Sequence, residues 1–211
     1  MVLSPHEVHV WRARWRALAP PAERARRRRA LLKAILSQYL QIEPAAIRFV
    51  YNPAGKPSLD PDHRAAWLSF NVAHTADASV YAVTRGRQVG IDIEAVRSLP
   101  ELEGIAAQFF TAREAALIRA LPAPDRLDAF FTCWTRKEAY LKALGQGFTR
   151  APNQVDVPAA GGPVFKLTTV APYPGHLCTV AAAGSDWRIS WRAWPPAPAP
   201  TLATALTPLA R

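Results

Sequence analysis

The chain has 211 residues, 50% of them hydrophobic and 20% charged, which suits one large or two small globular domains and excludes wholesale disorder. No apolar run approaches the roughly 18–20 residues of a membrane helix, and the opening MVLSPHEVHVW lacks the apolar stretch of a secretory signal, so a cytoplasmic protein is expected. A net charge of +10, from 26 basic and 16 acidic residues, points to an anionic partner without choosing among nucleic acid, a phosphorylated metabolite, an acidic protein and a membrane surface.

In chain order, residues 5–12 alternate in polarity and read as a strand. Residues 22–40 follow Pro20 and Pro21 as a helix. Its apolar face is Leu31, Leu32, Ile35, Leu36, Tyr39 and Leu40, and Arg24 and Arg26 to Arg29 crowd its first half. Residues 47–51 read as a strand before a turn at 52–55. Strand composition returns at 67–72, 79–84 and 88–94, and Arg85-Gly86-Arg87 is placed to close the last two into a hairpin. Beyond a connector at 97–103, residues 105–120 and 127–144 read as helices, the second stopping before Gly145-Gln146-Gly147. Strands follow at 164–170, 176–183 and 187–194. Residues 195–211 are rich in Pro and Ala and read as a disordered tail.

Runs of strands and runs of helices are segregated, which predicts an α+β fold. The expected division is an N-terminal half at 1–95, a C-terminal half at 96–194 and the tail at 195–211. The common nucleotide-binding loops, GxGxxG and GxxxxGK[ST], are missing. Cys133 and Cys178 match neither a disulfide framework nor a paired metal motif and read as buried reduced thiols.

Five patterns carry candidate chemistry. In Val89-Gly90-Ile91-Asp92-Ile93-Glu94 the period of a strand sets Asp92 and Glu94 on one face and the isoleucines on the other. Two adjacent carboxylates need a cation or a shared proton, although an exposed pair of solvated acids fits this segment equally well. In Trp134-Thr135-Arg136-Lys137-Glu138-Ala139-Tyr140-Leu141-Lys142 helical spacing puts Trp134, Glu138 and Leu141 or Lys142 on one face. Alone, Glu138–Lys142 is an ordinary surface pair; facing Asp92 and Glu94, Glu138 completes a hard oxygen site suited to magnesium. His74, where the Phe70–Thr75 segment ends, can donate to a phosphate or serve as a structural hydrogen bonder. Lys56 sits in a Gly-Lys-Pro turn, one of only five lysines in an arginine-rich chain. Arg29 lies nearest the apolar face of the first helix.

In this order, GKP (55–57), FNxxHT (70–75), VGIDIE (89–94), FFT with Glu114, and WTRKEAYLKALGQG (134–147) make the sequence resemble the Sfp-type 4′-phosphopantetheinyl transferases, from about Arg29 to about Val157 and more weakly to Trp194. The resemblance implies two similar α+β halves related by a pseudo-twofold axis, a site in the cleft between them, and a monomer. It implies holo-[carrier-protein] synthase activity: the phosphopantetheine arm of coenzyme A moves to a serine of an acidic carrier protein, and adenosine 3′,5′-bisphosphate leaves. Asp92, Glu94 and Glu138 would hold magnesium on the pyrophosphate. Lys142 would bind a pyrophosphate oxygen, and Arg29, Lys56 and His74 would hold the 3′-phosphate or nearby oxygens of coenzyme A. Glu138, or water on the metal, would take the serine proton, and Lys142 shares the catalytic role with it. Membrane and nucleic acid are not expected partners. The family pattern has serine where this chain has Ala73, a position read as facing the phosphate, and the segment ahead of Arg29 is short. A metal-dependent nuclease and a degenerate, non-catalytic carrier- or nucleic-acid-binding homologue are the alternatives.

Overall fold

The computed structural model describes residues 1–15, 20–53, 55–145, 151–157 and 164–195. Its elements are β1 (Glu7–Arg14), α1 (Pro21–Leu40), β2 (Phe49–Tyr51), β3 (Pro57–Leu59), β4 (Leu68–His74), β5 (Ala78–Arg85), β6 (Val89–Ala95), α2 (Leu102–Phe109), α3 (Ala112–Ala120), α4 (Ala123–Leu144), β7 (Phe165–Val170), β8 (His176–Ala183) and β9 (Arg188–Ala193). They form a four-stranded sheet in the order β4-β5-β1-β9, a three-stranded sheet β6-β8-β7 and the ribbon β2-β3. The fold is α+β, as the element pattern predicts.

The sheets stack face to face, because β1, β5, β6 and β8 are apolar on the faces they share. Val8, Val10, Val80, Ala82, Val89, Ile91, Ile93 and Val180 form the cluster between them. The outer face of the larger sheet, with Trp11, Phe70, Tyr81 and Val83, takes Leu31, Leu32, Ile35, Leu36 and Tyr39 of α1. The outer face of the smaller sheet takes α4 through Ala139 and Ala143 against Ala181, Phe165 and Leu167. An aromatic cluster of Phe110, Phe130 and Phe131 holds α2 and α3 to α4.

Three expectations change. Gly86 does not close a β5–β6 hairpin: β5 already has β4 and β1 on its two edges, so β6 crosses to the other sheet and pairs with β8. The hairpin of this region is β4–β5, its turn fixed by the Thr75 hydroxyl, which accepts from the Ala78 amide at 3.1 Å. The helix expected at 105–120 is two helices. Thr111 caps α3 in a capping box with Glu114, which stops α2 before it. The strand at 47–51 shortens to β2 and finds an unforeseen partner in β3. The turn at 52–55 and the stop at 145–147 are described only in part, and residues 196–211 of the expected tail lie outside the described residues. Both cysteines are free, Cys178 buried and Cys133 half-buried. Hydrogen bonding crosses residue 95 in both directions: β6 joins β8, and β9 runs parallel to β1.

Candidate active site

Along β6 the odd residues Val89, Ile91 and Ile93 enter the core between the sheets, leaving Gly90, Asp92 and Glu94 to face α4. A Cβ at Gly90 would lie 2.0 Å from the Ala139 carbonyl oxygen and 2.4 Å from the Ala143 nitrogen. Bare backbone at 90 and alanines at 139 and 143 thus let the helix lie directly on the strand. Hydroxyls add to the contact: Thr135 meets Thr179 at 2.9 Å, and Thr179 meets Thr169 at 2.9 Å.

That close approach carries Lys142 to Asp92. The ammonium stands 2.6 Å from Oδ1, while Oδ2 is buried without a hydrogen-bond partner. Burial raises the pKa of Asp92 against the pull of Lys142. Glu94 is raised by burial and then by Asp92, with Arg97 opposing at 3.4 Å. Burial also raises Glu138, Lys142 opposes, and Asp92 and Glu94 add to the rise. Each of the three carboxyls is thus held above its usual range, chiefly by burial. Among the described residues no group of three or more His, Cys, Asp or Glu side chains is placed to hold a metal ion. What the site offers a hard cation is the buried, unpartnered Oδ2 of Asp92, and magnesium is a cation that takes one or two carboxylates and fills its octahedron with phosphate and water.

Beside this cluster, at the N-terminal half of α1, lies a cavity of about 570 Å³ lined by Arg26, Arg28, Arg29, His74, Phe49 and Tyr51 among others. Arg29 donates to the Tyr51 hydroxyl at 2.7 Å and lies over the Phe49 and Tyr51 rings, 5.6 and 5.9 Å from their centroids. Partial burial, then the charges of Arg28 and Lys142, lower the pKa of His74. Asn71, buried three residues earlier, accepts from the Ile91 amide at 2.9 Å and ties the strand of His74 to that of Asp92.

Sequence reasoning singled out Arg29 and His74 but not Arg28, Phe49, Tyr51 or the pinning role of Asn71. The aromatics sit on a three-residue strand, where no periodicity separates a cavity wall from an ordinary exposed face. Lys56 stands elsewhere: its half-buried ammonium donates to the carbonyls of Lys142 at 2.5 Å and Val89 at 3.3 Å, and burial lowers its pKa. With Asn52, which donates to the Gly145 carbonyl at 2.8 Å, it braces the end of α4. Ala73 is among the residues that line the cavity, but most of it is buried. Alternation along β4 turns it away from His74 into the apolar cluster between the sheets, where it is 6% exposed. Lys137 and Glu114 form a buried ion pair at 2.7 Å. Lys137 also donates to the carbonyls of Pro152 and Val155, and Glu114 accepts from the Val157 amide, so the pair fastens residues 152–157 to α3 and α4.

Comparison with known proteins bears on the same residues. A family model of the 4′-phosphopantetheinyl transferase superfamily matches residues 88–192, which include Asp92, Glu94, Glu138 and Lys142. The chain is 36% identical over 168 residues to the 4′-phosphopantetheinyl transferase HetI of Nostoc sp., covering 76% of this chain and 70% of that protein. It is 27% identical over 169 residues to the 4′-phosphopantetheinyl transferase Sfp of Bacillus subtilis, covering 74% and 72%. Against the human L-aminoadipate-semialdehyde dehydrogenase-phosphopantetheinyl transferase it is 30% identical over 167 residues, which is 71% of this chain and about half, 53%, of that longer protein. A strand carrying the buried Asp92 and the half-buried Glu94, closed over by a helix carrying Glu138 and Lys142, thus sits in a chain that belongs to the 4′-phosphopantetheinyl transferase superfamily.

Proposed function

We propose that the protein transfers the 4′-phosphopantetheine arm of coenzyme A to a serine hydroxyl of an acidic carrier protein, with magnesium at Asp92, Glu94 and Glu138, and releases adenosine 3′,5′-bisphosphate. The observation that carries this reading is Asp92: a buried carboxylate with one oxygen on the Lys142 ammonium, the other without a partner, and two further carboxyls beside it.

The serine oxygen forms a bond to the phosphorus that carries the pantetheine arm, and the phosphoanhydride bond to the nucleotide breaks. Such transfers depend on positioning and charge neutralisation more than on covalent help. Bound magnesium supplies neutralisation of the charge that builds on the pyrophosphate oxygens. Lys142 binds a pyrophosphate oxygen, and Arg29 and His74, joined by Arg28, hold the 3′-phosphate in the cavity. Lys56 enters through Lys142, whose carbonyl it holds. The Glu138 carboxyl, its pKa raised, accepts the serine proton. The +10 charge steers an acidic carrier toward the site.

The test incubates a panel of apo carrier proteins with coenzyme A and magnesium and reads intact mass. One phosphopantetheine is gained with wild type and none with Asp92→Asn or Glu138→Gln, both folded by circular dichroism. Full activity in either variant refutes the magnesium assignment, and no gain on any carrier refutes the transferase reading.

A further inference from the structure

We propose that Lys142 is an internal counter-cation that couples the two ligands of the site: it occupies Asp92 while pyrophosphate is absent, and pyrophosphate, by drawing the ammonium away, opens Asp92 to the divalent ion. The inference rests on the functional reading above and adds an order of binding to it.

Asp92 is the innermost carboxylate of the cluster. The ammonium stands 2.6 Å from its Oδ1, so a divalent ion taken up at the unpartnered Oδ2 would share one carboxylate with it, and two cations on one carboxylate repel. Of the two partners, only the lysine has somewhere to go. Asp92 is 8% exposed and fixed on a strand between β8 and α4, whereas the Lys142 side chain is 31% exposed on a flexible four-carbon stem. Its charge is felt by His74, which lines the arginine cavity, as well as by Glu138 and Glu94. The ammonium is thus on Asp92 and its charge also reaches a residue of the arginine cavity.

Removal of that ammonium without replacement leaves three carboxyls facing one another, and addition of a metal without its removal crowds two cations. The favourable event is an exchange, with the ammonium moving to the phosphates as the metal takes the carboxylates. The divalent ion alone then binds weakly, and the ion and coenzyme A strengthen each other by the same factor, since coupling between two sites is reciprocal.

The experiment titrates manganese, as a paramagnetic stand-in, against the whole protein by electron paramagnetic resonance with and without coenzyme A. In wild type, coenzyme A is expected to tighten manganese roughly tenfold or more, and calorimetry should show manganese tightening coenzyme A equally. In Lys142→Met, manganese alone should bind roughly tenfold more tightly than in wild type, and the enhancement by coenzyme A should shrink to what direct phosphate ligation supplies. Lys142→Arg, which keeps the counter-charge, should retain weak binding of manganese alone. Manganese-alone affinity in a folded Lys142→Met that is equal to or below wild type overturns the inference. Should that variant not fold, the ammonium resonance of Lys142 in nitrogen-15-labelled wild type decides: it should move on adding magnesium with coenzyme A and stay on adding magnesium alone, and a move with magnesium alone overturns it. Failure of wild type to bind manganese under either condition refutes the magnesium assignment instead.

Discussion

The two helix-on-sheet layers of this molecule are built from opposite kinds of residue. α1 rests on its sheet through leucines, Ile35 and Tyr39 against Trp11, Phe70 and Tyr81, whereas α4 rests on its sheet through alanines and a glycine. Large side chains hold a helix off its sheet, and beside the first half of α1 that spacing leaves a cavity of about 570 Å³ walled by arginines and aromatics. Small side chains bring backbone against backbone, and α4 accordingly sets Lys142 on Asp92. One layer makes room for a ligand and the other makes a concentration of charge.

The largest effect should come from filling the tight layer. In Gly90→Ala the new Cβ meets backbone rather than a movable side chain, so α4 must lift. A loss of about 3 kcal/mol in chemical denaturation is expected, with phosphopantetheine transfer lost even from the folded fraction. Leu36→Ala in the loose layer should cost about 2–5 kcal/mol yet leave turnover of the folded fraction close to wild type, because no carboxylate moves. Wild-type turnover in folded Gly90→Ala would break the comparison.

A smaller effect should follow at the junction of the two layers. His74→Ala is expected to reduce the preference for coenzyme A over dephospho-coenzyme A roughly tenfold, the equivalent of one charge-assisted hydrogen bond. Ala73→Ser, in the same calorimetric assay, should leave that preference unchanged and lower stability by about 1 kcal/mol, since its hydroxyl enters apolar surroundings. A tightening of coenzyme A by the serine would turn the side chain of residue 73 toward the phosphate.

The smallest effect concerns the turn after His74. Burial by itself would raise the pKa of Asp77, but hydrogen bonds from Arg14, His176 and Thr75 prevail and hold it at about 2. A carboxyl lowered on folding adds stability above its unfolded pKa of about 4 and loses it as pH falls toward 2. Asp77→Asn should therefore flatten the decline of melting temperature between pH 4 and pH 2, removing at most about 2 kcal/mol. An unchanged decline would assign it to other carboxylates.

How much of this could be read in advance differs between the layers for a physical reason. The alternation in VGIDIE and the helical spacing of Glu138 and Lys142 are local, so the strand that carries Asp92 and the helix that brings Lys142 to it were both legible. Legible too, though passed over, was Thr111-x-x-Glu114, the cap that divides α2 from α3. The partner of β6 was not legible, because an edge already taken by β1 and β4 is a fact about the whole sheet. The carbonyls that Lys56 meets were not legible either, because a lysine in a turn looks the same whether its ammonium faces a phosphate or the end of a helix.

The parallel pairing of β1 with β9 bears on how the chain comes to be folded. Residues 7–12 lie beside residues 188–193, so one edge of β1 has no partner until the far strand has been made. β6 likewise waits for β8, across all of α2, α3 and α4. Contacts this distant in sequence carry a large closure entropy and form late, which leaves two apolar strands in search of their neighbours during synthesis. A free edge of that kind is open to pairing with another nascent chain. In the finished sheet β1 lies covered on both edges, by β5 and by β9, and the last described strand is the one that ends this exposure.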